Sequence, residues 1–157
     1  MNTKNIFRLV LCILIPLAVG GLSGYLTTSN IASWYATLVK PSFNPPNNIF
    51  GPVWSVLYLL MGISFYLALN NAKPENKSKI IFVFAIQLVL NFFWSIIFFN
   101  LHQLGFALTE IVFLWISILA MIITFYKTNK LAAYMNVPYL LWVSFATFLN
   151  YSLYHLN

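Results

Sequence analysis

Five long apolar runs divide almost the whole chain between them, at about 6–26, 51–69, 80–99, 105–126 and 131–154. Each approaches or exceeds the ~20 residues a helix needs to cross ~30 Å of hydrocarbon. In lipid a segment must satisfy its own backbone hydrogen bonds, so continuous runs of this length predict helices. The alternating short segments of a β-barrel are absent from the sequence. Only 6% of the 157 residues are charged, against roughly a quarter in a soluble domain. The predicted fold class is therefore an all-α integral membrane protein, a single domain over residues 1–157 built as a bundle of five transmembrane helices. The first run follows Lys4 and contains Arg8, but it is too long for the apolar core of a signal peptide and is read as an uncleaved helix.

The net charge of +6 does not point to nucleic acid, because the basic residues lie between the apolar runs. With five spans, Lys4, Arg8, Lys73, Lys77, Lys79, Lys127 and Lys130 fall on one side and Lys40 on the other. That seven-to-one split predicts a multi-pass protein of the cell membrane with the N-terminus cytoplasmic and the C-terminus outside. The only cysteine, Cys12, lies inside the first run and reads as a packing residue. The short termini and the charge bias suit a bacterial membrane.

The long connection, residues 27–50, is no flexible spacer. It carries Trp34, Tyr35, Leu38, Phe43, Ile49 and Phe50 among Pro41, Pro45 and Pro46. The prolines predict a stiff, irregular segment. Two readings are open: a lid packed over a site, or an interfacial cover with Trp34 and Tyr35 as belt aromatics.

Polar residues inside the runs concentrate toward the same end. A rise of ~1.5 Å per residue puts Trp54 about 5 Å inside its helix, Glu110 about 8 Å, Asn91 about 12 Å and Gln87 about 18 Å. Trp142, Ala146 and Asn150 lie at about 18, 12 and 6 Å by the same rise. Residues four apart share a face, so Trp54 pairs with Tyr58, Gln87 with Asn91 near Trp94, and Trp142 with Ala146 and Asn150. This predicts an aromatic pocket with a few amides beneath the long loop, suited to a flat, largely apolar ligand. The competing reading is that the amides and indoles only join helices. Glu110 is the one acid within a run, and reads either as functional or as a neutral group bonded to a neighbouring helix. Gly20 and Gly24 form a G-x-x-x-G pair, for an internal contact or for a dimer.

The stretch WYATLVKPSFNPPNNIFGPVWSVLYLLMG, residues 34–62, resembles the signature of the family of tryptophan-rich sensory proteins and translocator proteins, the peripheral benzodiazepine receptors. NFFWSIIFF from Asn91 resembles that family's third helix, and PYLLWVSFATFLNYSLY from Pro138 its fifth. The resemblance implies a five-helix bundle, often dimeric, that binds porphyrins such as protoporphyrin IX and synthetic benzodiazepine- and isoquinoline-type ligands. It carries Tyr35, Trp54, Asn91, Trp142 and Ala146 over as pocket residues, with Gln87 at a polar position. It also implies an alternative role, light- and oxygen-dependent porphyrin degradation, for which Trp54 and Trp142 would be the catalytic tryptophans. Porphyrin is then ligand or substrate, and no resident cofactor or metal is called for. The animal members' sterol motif is only partly kept: Leu149, Asn150 and Tyr151 are present, but His155 stands where an arginine is expected. Sterol is accordingly not the expected ligand.

Overall fold

The computed structural model describes residues 3–157, and these contain seven helices and no strand. The helices are α1 (Thr3–Ala32), α2 (Trp34–Thr37), α3 (Asn47–Asn71), α4 (Pro74–Ser95), α5 (Leu104–Tyr126), α6 (Lys130–Tyr134) and α7 (Val137–Leu156). A π-helical turn, Ile96–Asn100, extends α4. Five helical segments are long and apolar enough to cross a membrane, as the five runs predict.

The boundaries depart from the runs where proline or asparagine intervenes. α1 continues helically to Ala32, and α2 adds one more turn, so the irregular part of the long connection shrinks to about residues 38–46. That remainder holds all three of its prolines. The fifth run is two helices rather than one. Pro138 has no N–H and its ring excludes the carbonyl of Tyr134, which breaks the chain between α6 and α7. Asn136 stands at the break: its Nδ2 donates to the Ser64 Oγ at 2.7 Å and to the Ala132 carbonyl at 2.9 Å.

Lipid tails are as apolar as leucine, so close packing rather than water exclusion must hold the helices together. Small buried residues supply it: Ala68, Ala107, Ala132 and Ala133 have no exposed surface. Phe65 and Phe84 stack at 3.8 Å and 7° between α3 and α4. α1 and α3 approach each other closely at Gly62. A Cβ on Gly62 would sit 2.7 Å from the Cys12 carbonyl oxygen and 2.6 Å from the Ile13 Cα. Pro16, inside α1, cannot donate to the Cys12 carbonyl four residues before it. The glycine therefore meets a carbonyl that the helix leaves free, a setting that suits a Cα–H···O contact. Of the G-x-x-x-G pair, Gly20 packs within the chain against the Tyr58 ring, while Gly24 faces open space.

The termini of the helices gather at two ends. The lid end holds α2, the 38–46 segment, the start of α3 and the end of α7. The other end, here the basic end, holds the start of α1, the α3–α4 turn and the α5–α6 turn, and with them seven of the eight cations.

Candidate functional site

A cavity of about 470 Å³ lies beneath the lid segment, among α1, α3, α4 and α7. Each helix contributes a different kind of surface. α1 offers a low wall of small residues, Gly20, Gly24 and Thr27, which leaves space where larger side chains would close the bundle. α3 presents Trp54 and Tyr58, one turn apart and stacked at 5.5 Å and 28°. α7 presents Trp142, Ala146 and Asn150 on one face, with the alanine leaving room between its larger neighbours. α4 adds Trp94, and the π-helical turn adds Phe98 and Phe99. Wide turns of this type are frequent at functional sites.

Two tryptophans stand on facing helices. Trp54 meets Tyr139 edge to face at 6.1 Å, and Trp142 meets Phe50 likewise at 6.0 Å. These edge contacts fix the indole planes while leaving part of each ring on the cavity. Among the described residues the buried Trp142 Nε1 has no hydrogen-bond partner. Asn150, by contrast, is held on both sides of its amide: it accepts from the Trp94 Nε1 at 3.2 Å and donates to the Leu104 carbonyl at 3.0 Å. No Asp, Glu, Lys, Arg or His lines the cavity among the described residues. Its selectivity must then come from shape, aromatic faces and a few hydroxyl and indole groups.

The lid segment is tied down at several points. Tyr35 donates its hydroxyl to the Asn44 Oδ1 at 2.7 Å, and Lys40 stands 4.8 Å over the Tyr35 ring. Burial pushes the Tyr35 phenol above its usual range, and the Asn44 hydrogen bond draws it back. Phe43 stacks on Phe148 of α7 at 5.1 Å. Asn157 accepts from the Val39 N–H at 2.9 Å and donates to the Val39 carbonyl at 3.1 Å. Trp34 stacks on His102 at 4.3 Å, and His102 takes the left-handed φ of 57°. Neither belongs to the cavity lining.

The exposed lining residues all belong to one seam. Gly21, Gly24 and Thr28 of α1 face Asn47, Gly51 and Ser55 of α3, and all are small or polar. The cavity thus opens between α1 and α3, along the side of the bundle as well as under the lid.

Of the predicted site residues, the structure brings Tyr35, Trp54, Tyr58, Trp94, Trp142, Ala146 and Asn150 to this cavity. It does not bring Gln87 or Asn91. Both are buried behind the wall in a hydrogen-bonded chain. The Tyr58 hydroxyl donates to the Asn91 Oδ1, the Asn91 Nδ2 donates to the Tyr139 hydroxyl at 2.9 Å, and that hydroxyl donates to the Gln87 Oε1 at 3.1 Å. The physical reason is that unpaired amides in an apolar interior are costly, so they turn inward to one another. Glu110 also lies outside the lining, and its two buried oxygens find no partner on a neighbouring helix among the described residues. Tyr139, which the sequence reading passed over, links the two amides. It stands three residues before Trp142, on the same face, so extending that stripe by one turn would have found it.

The chain matches the model of the TspO/MBR family over residues 12–156. It is 44% identical to the Tryptophan-rich protein TspO of Chlorobaculum tepidum, over 98% of each chain. It is 36% identical to the human Translocator protein, over 79% of this chain and 75% of that one. With the Tryptophan-rich sensory protein of Cereibacter sphaeroides it shares 33% identity, over 79% and 77% of the two chains.

Proposed function

This chain belongs to the TspO/MBR family, and from that membership and the cavity beneath its lid we propose that it is a membrane sensor or translocator that holds a porphyrin such as protoporphyrin IX. The observation that carries the reading is the pair of indoles on facing helices. Trp54 and Trp142 flank an uncharged cavity of about 470 Å³, within the range of pockets for flat, drug-sized molecules. Offset stacking on each indole would hold a macrocycle. Synthetic benzodiazepine- and isoquinoline-type ligands fit the same shape argument, and the working assembly under this reading is a homodimer. The cytoplasmic placement of the basic end is part of the same proposal.

A second reading rests on the same two residues. Indoles are the easily oxidised side chains, so a bound porphyrin excited by light in the presence of oxygen would have a redox neighbour on each wall. The chemistry would be the porphyrin's, and this chain would supply position. Titration of protoporphyrin IX into the detergent-solubilised protein in the dark, followed by porphyrin absorbance, tests the first reading. Saturable binding is expected; its absence overturns the proposal. The same sample under illumination tests the second, which requires loss of porphyrin faster than in detergent alone.

A further inference from the structure

We propose that a second cavity, at the basic end of the bundle, is a binding site for one anionic phospholipid. The cavity has a volume of about 340 Å³ and lies between α1, α3 and α4, far from the aromatic one. Its lining is graded along the helix axis. Arg8 of α1, Asn70 of α3 and Lys77 of α4 stand at its rim, each within two turns of the helix end that faces the basic side. Leu11 and Ile81 follow one turn deeper, about 4 to 6 Å below the cations. Cys12 and Tyr66 form the inner wall.

This order of chemistry matches a phospholipid and not a free anion. Two cations and an amide at the headgroup level suit a phosphate, and the guanidinium of Arg8 can bind it in bidentate fashion. The aliphatic groups below suit the start of an acyl chain. Leu11 and Ile81 are 43% and 49% exposed, so the groove is open to the bilayer where that chain would leave it. The charge balance is one-sided: Lys4, Lys73 and Lys79 add to the field at this end, and Glu75 is its only acid. Basic pockets between transmembrane helices are sites for anionic headgroups on general grounds. A diffuse basic rim would orient the protein without such a pocket; here Arg8 and Lys77 come from different helices and both line one cavity.

The test compares the full chain in nanodiscs of phosphatidylcholine with and without phosphatidylglycerol. Native mass spectrometry should find one phosphatidylglycerol retained in preference to phosphatidylcholine. Arg8→Gln with Lys77→Gln should weaken that retention roughly 30-fold. Lys127→Gln with Lys130→Gln removes the same charge from the same end but outside the cavity, and should change it little. Cys12 gives a readout that needs no variant. As the only thiol on the cavity wall, it should react more slowly with a membrane-permeant maleimide when phosphatidylglycerol is present. Equal retention of the two lipids overturns the proposal, as does equal loss in both double variants or unchanged Cys12 labelling. If inorganic phosphate alone protects Cys12 as well as the lipid does, the site is for a free anion and the lipid assignment fails.

Discussion

Tyr58 is bound twice over: its ring stacks on Trp54 at the cavity wall, and its hydroxyl donates to Asn91 in the interior. The visible wall of the site is thereby fastened to the hidden chain that runs on through Tyr139 to Gln87. The amides that do not touch the cavity still set the angle of a ring that does.

Removing the middle of that chain should destabilise the protein more than a typical interhelical hydrogen bond would suggest. Such bonds average about 0.6 kcal/mol in membrane proteins. Tyr139→Phe keeps the ring but leaves the Asn91 Nδ2 and the Gln87 Oε1 without their partner, and an unpaired buried group costs about 1–3 kcal/mol. Thermal unfolding in detergent should show a clear fall in midpoint; an unchanged midpoint would show that the amides re-pair.

The two tryptophans separate the functional readings. Trp54→Phe and Trp142→Phe keep an aromatic face and lose the indole, so dark affinity for protoporphyrin IX should fall by no more than about tenfold each, from a stacking contribution of about 0.5–1.5 kcal/mol. Under light, a binding protein and its variants would bleach porphyrin at the rate of detergent alone. A degrading protein would lose its excess rate in each variant while still binding.

Loosening the lid should act on dissociation. Pro45→Gly with Pro46→Gly enlarges the ensemble from which the bound shape must be ordered. Asn44→Ala releases the Tyr35 hydroxyl that ties the segment to α2. Both should shorten ligand residence in stopped-flow displacement. Unchanged affinity and dissociation rate in both would reduce the segment to an interfacial cover.

Gly24 and Gly62 predict opposite signs for the same substitution. Gly→Ala in a helix gains about 0.5–1 kcal/mol in propensity. Gly24 faces open space, so Gly24→Ala should be neutral or stabilising in the monomer. Gly62→Ala drives a methyl into the backbone of α1 and should cost several times that gain. Unfolding in detergent compares them directly.

A reporter fused after Asn157 checks the orientation. Activity confined to the non-cytoplasmic side is expected from the seven-to-one split of basic residues. Cytoplasmic activity would invert the bundle and place the aromatic cavity toward the cell interior.

Much of this molecule was legible because lipid imposes a simple rule on long segments. The five runs become five spanning helical segments, and Trp54, Trp142, Ala146 and Asn150 reach one cavity because height and face suffice to place them. Gln87 and Asn91 sit at a suitable height yet turn away. Height along a helix is readable from residue number, but the direction of a face depends on which neighbour it packs against. The break at Asn136 was likewise hidden, since Pro138 marks it but the side-chain bond to Ser64, 72 residues distant, completes it. The last turn of α4 widens into a π-helix with no sequence feature that announces it.

The contact between Gly62 and the Cys12 carbonyl has a mechanical consequence. Two rods in backbone contact at one level have a natural fulcrum there, and between it and the mouth only the side-chain contact of the Tyr58 ring on Gly20 intervenes. Gly51, at the mouth of the cavity, lies eleven residues from Gly62 along α3, a lever arm of about 16 Å. A tilt of about 10° between α1 and α3 around that fulcrum would widen the seam by about 3 Å, close to the half-thickness of an aromatic ring on either side. The same glycine that brings the two backbones together is the fulcrum from which any widening of the mouth is measured.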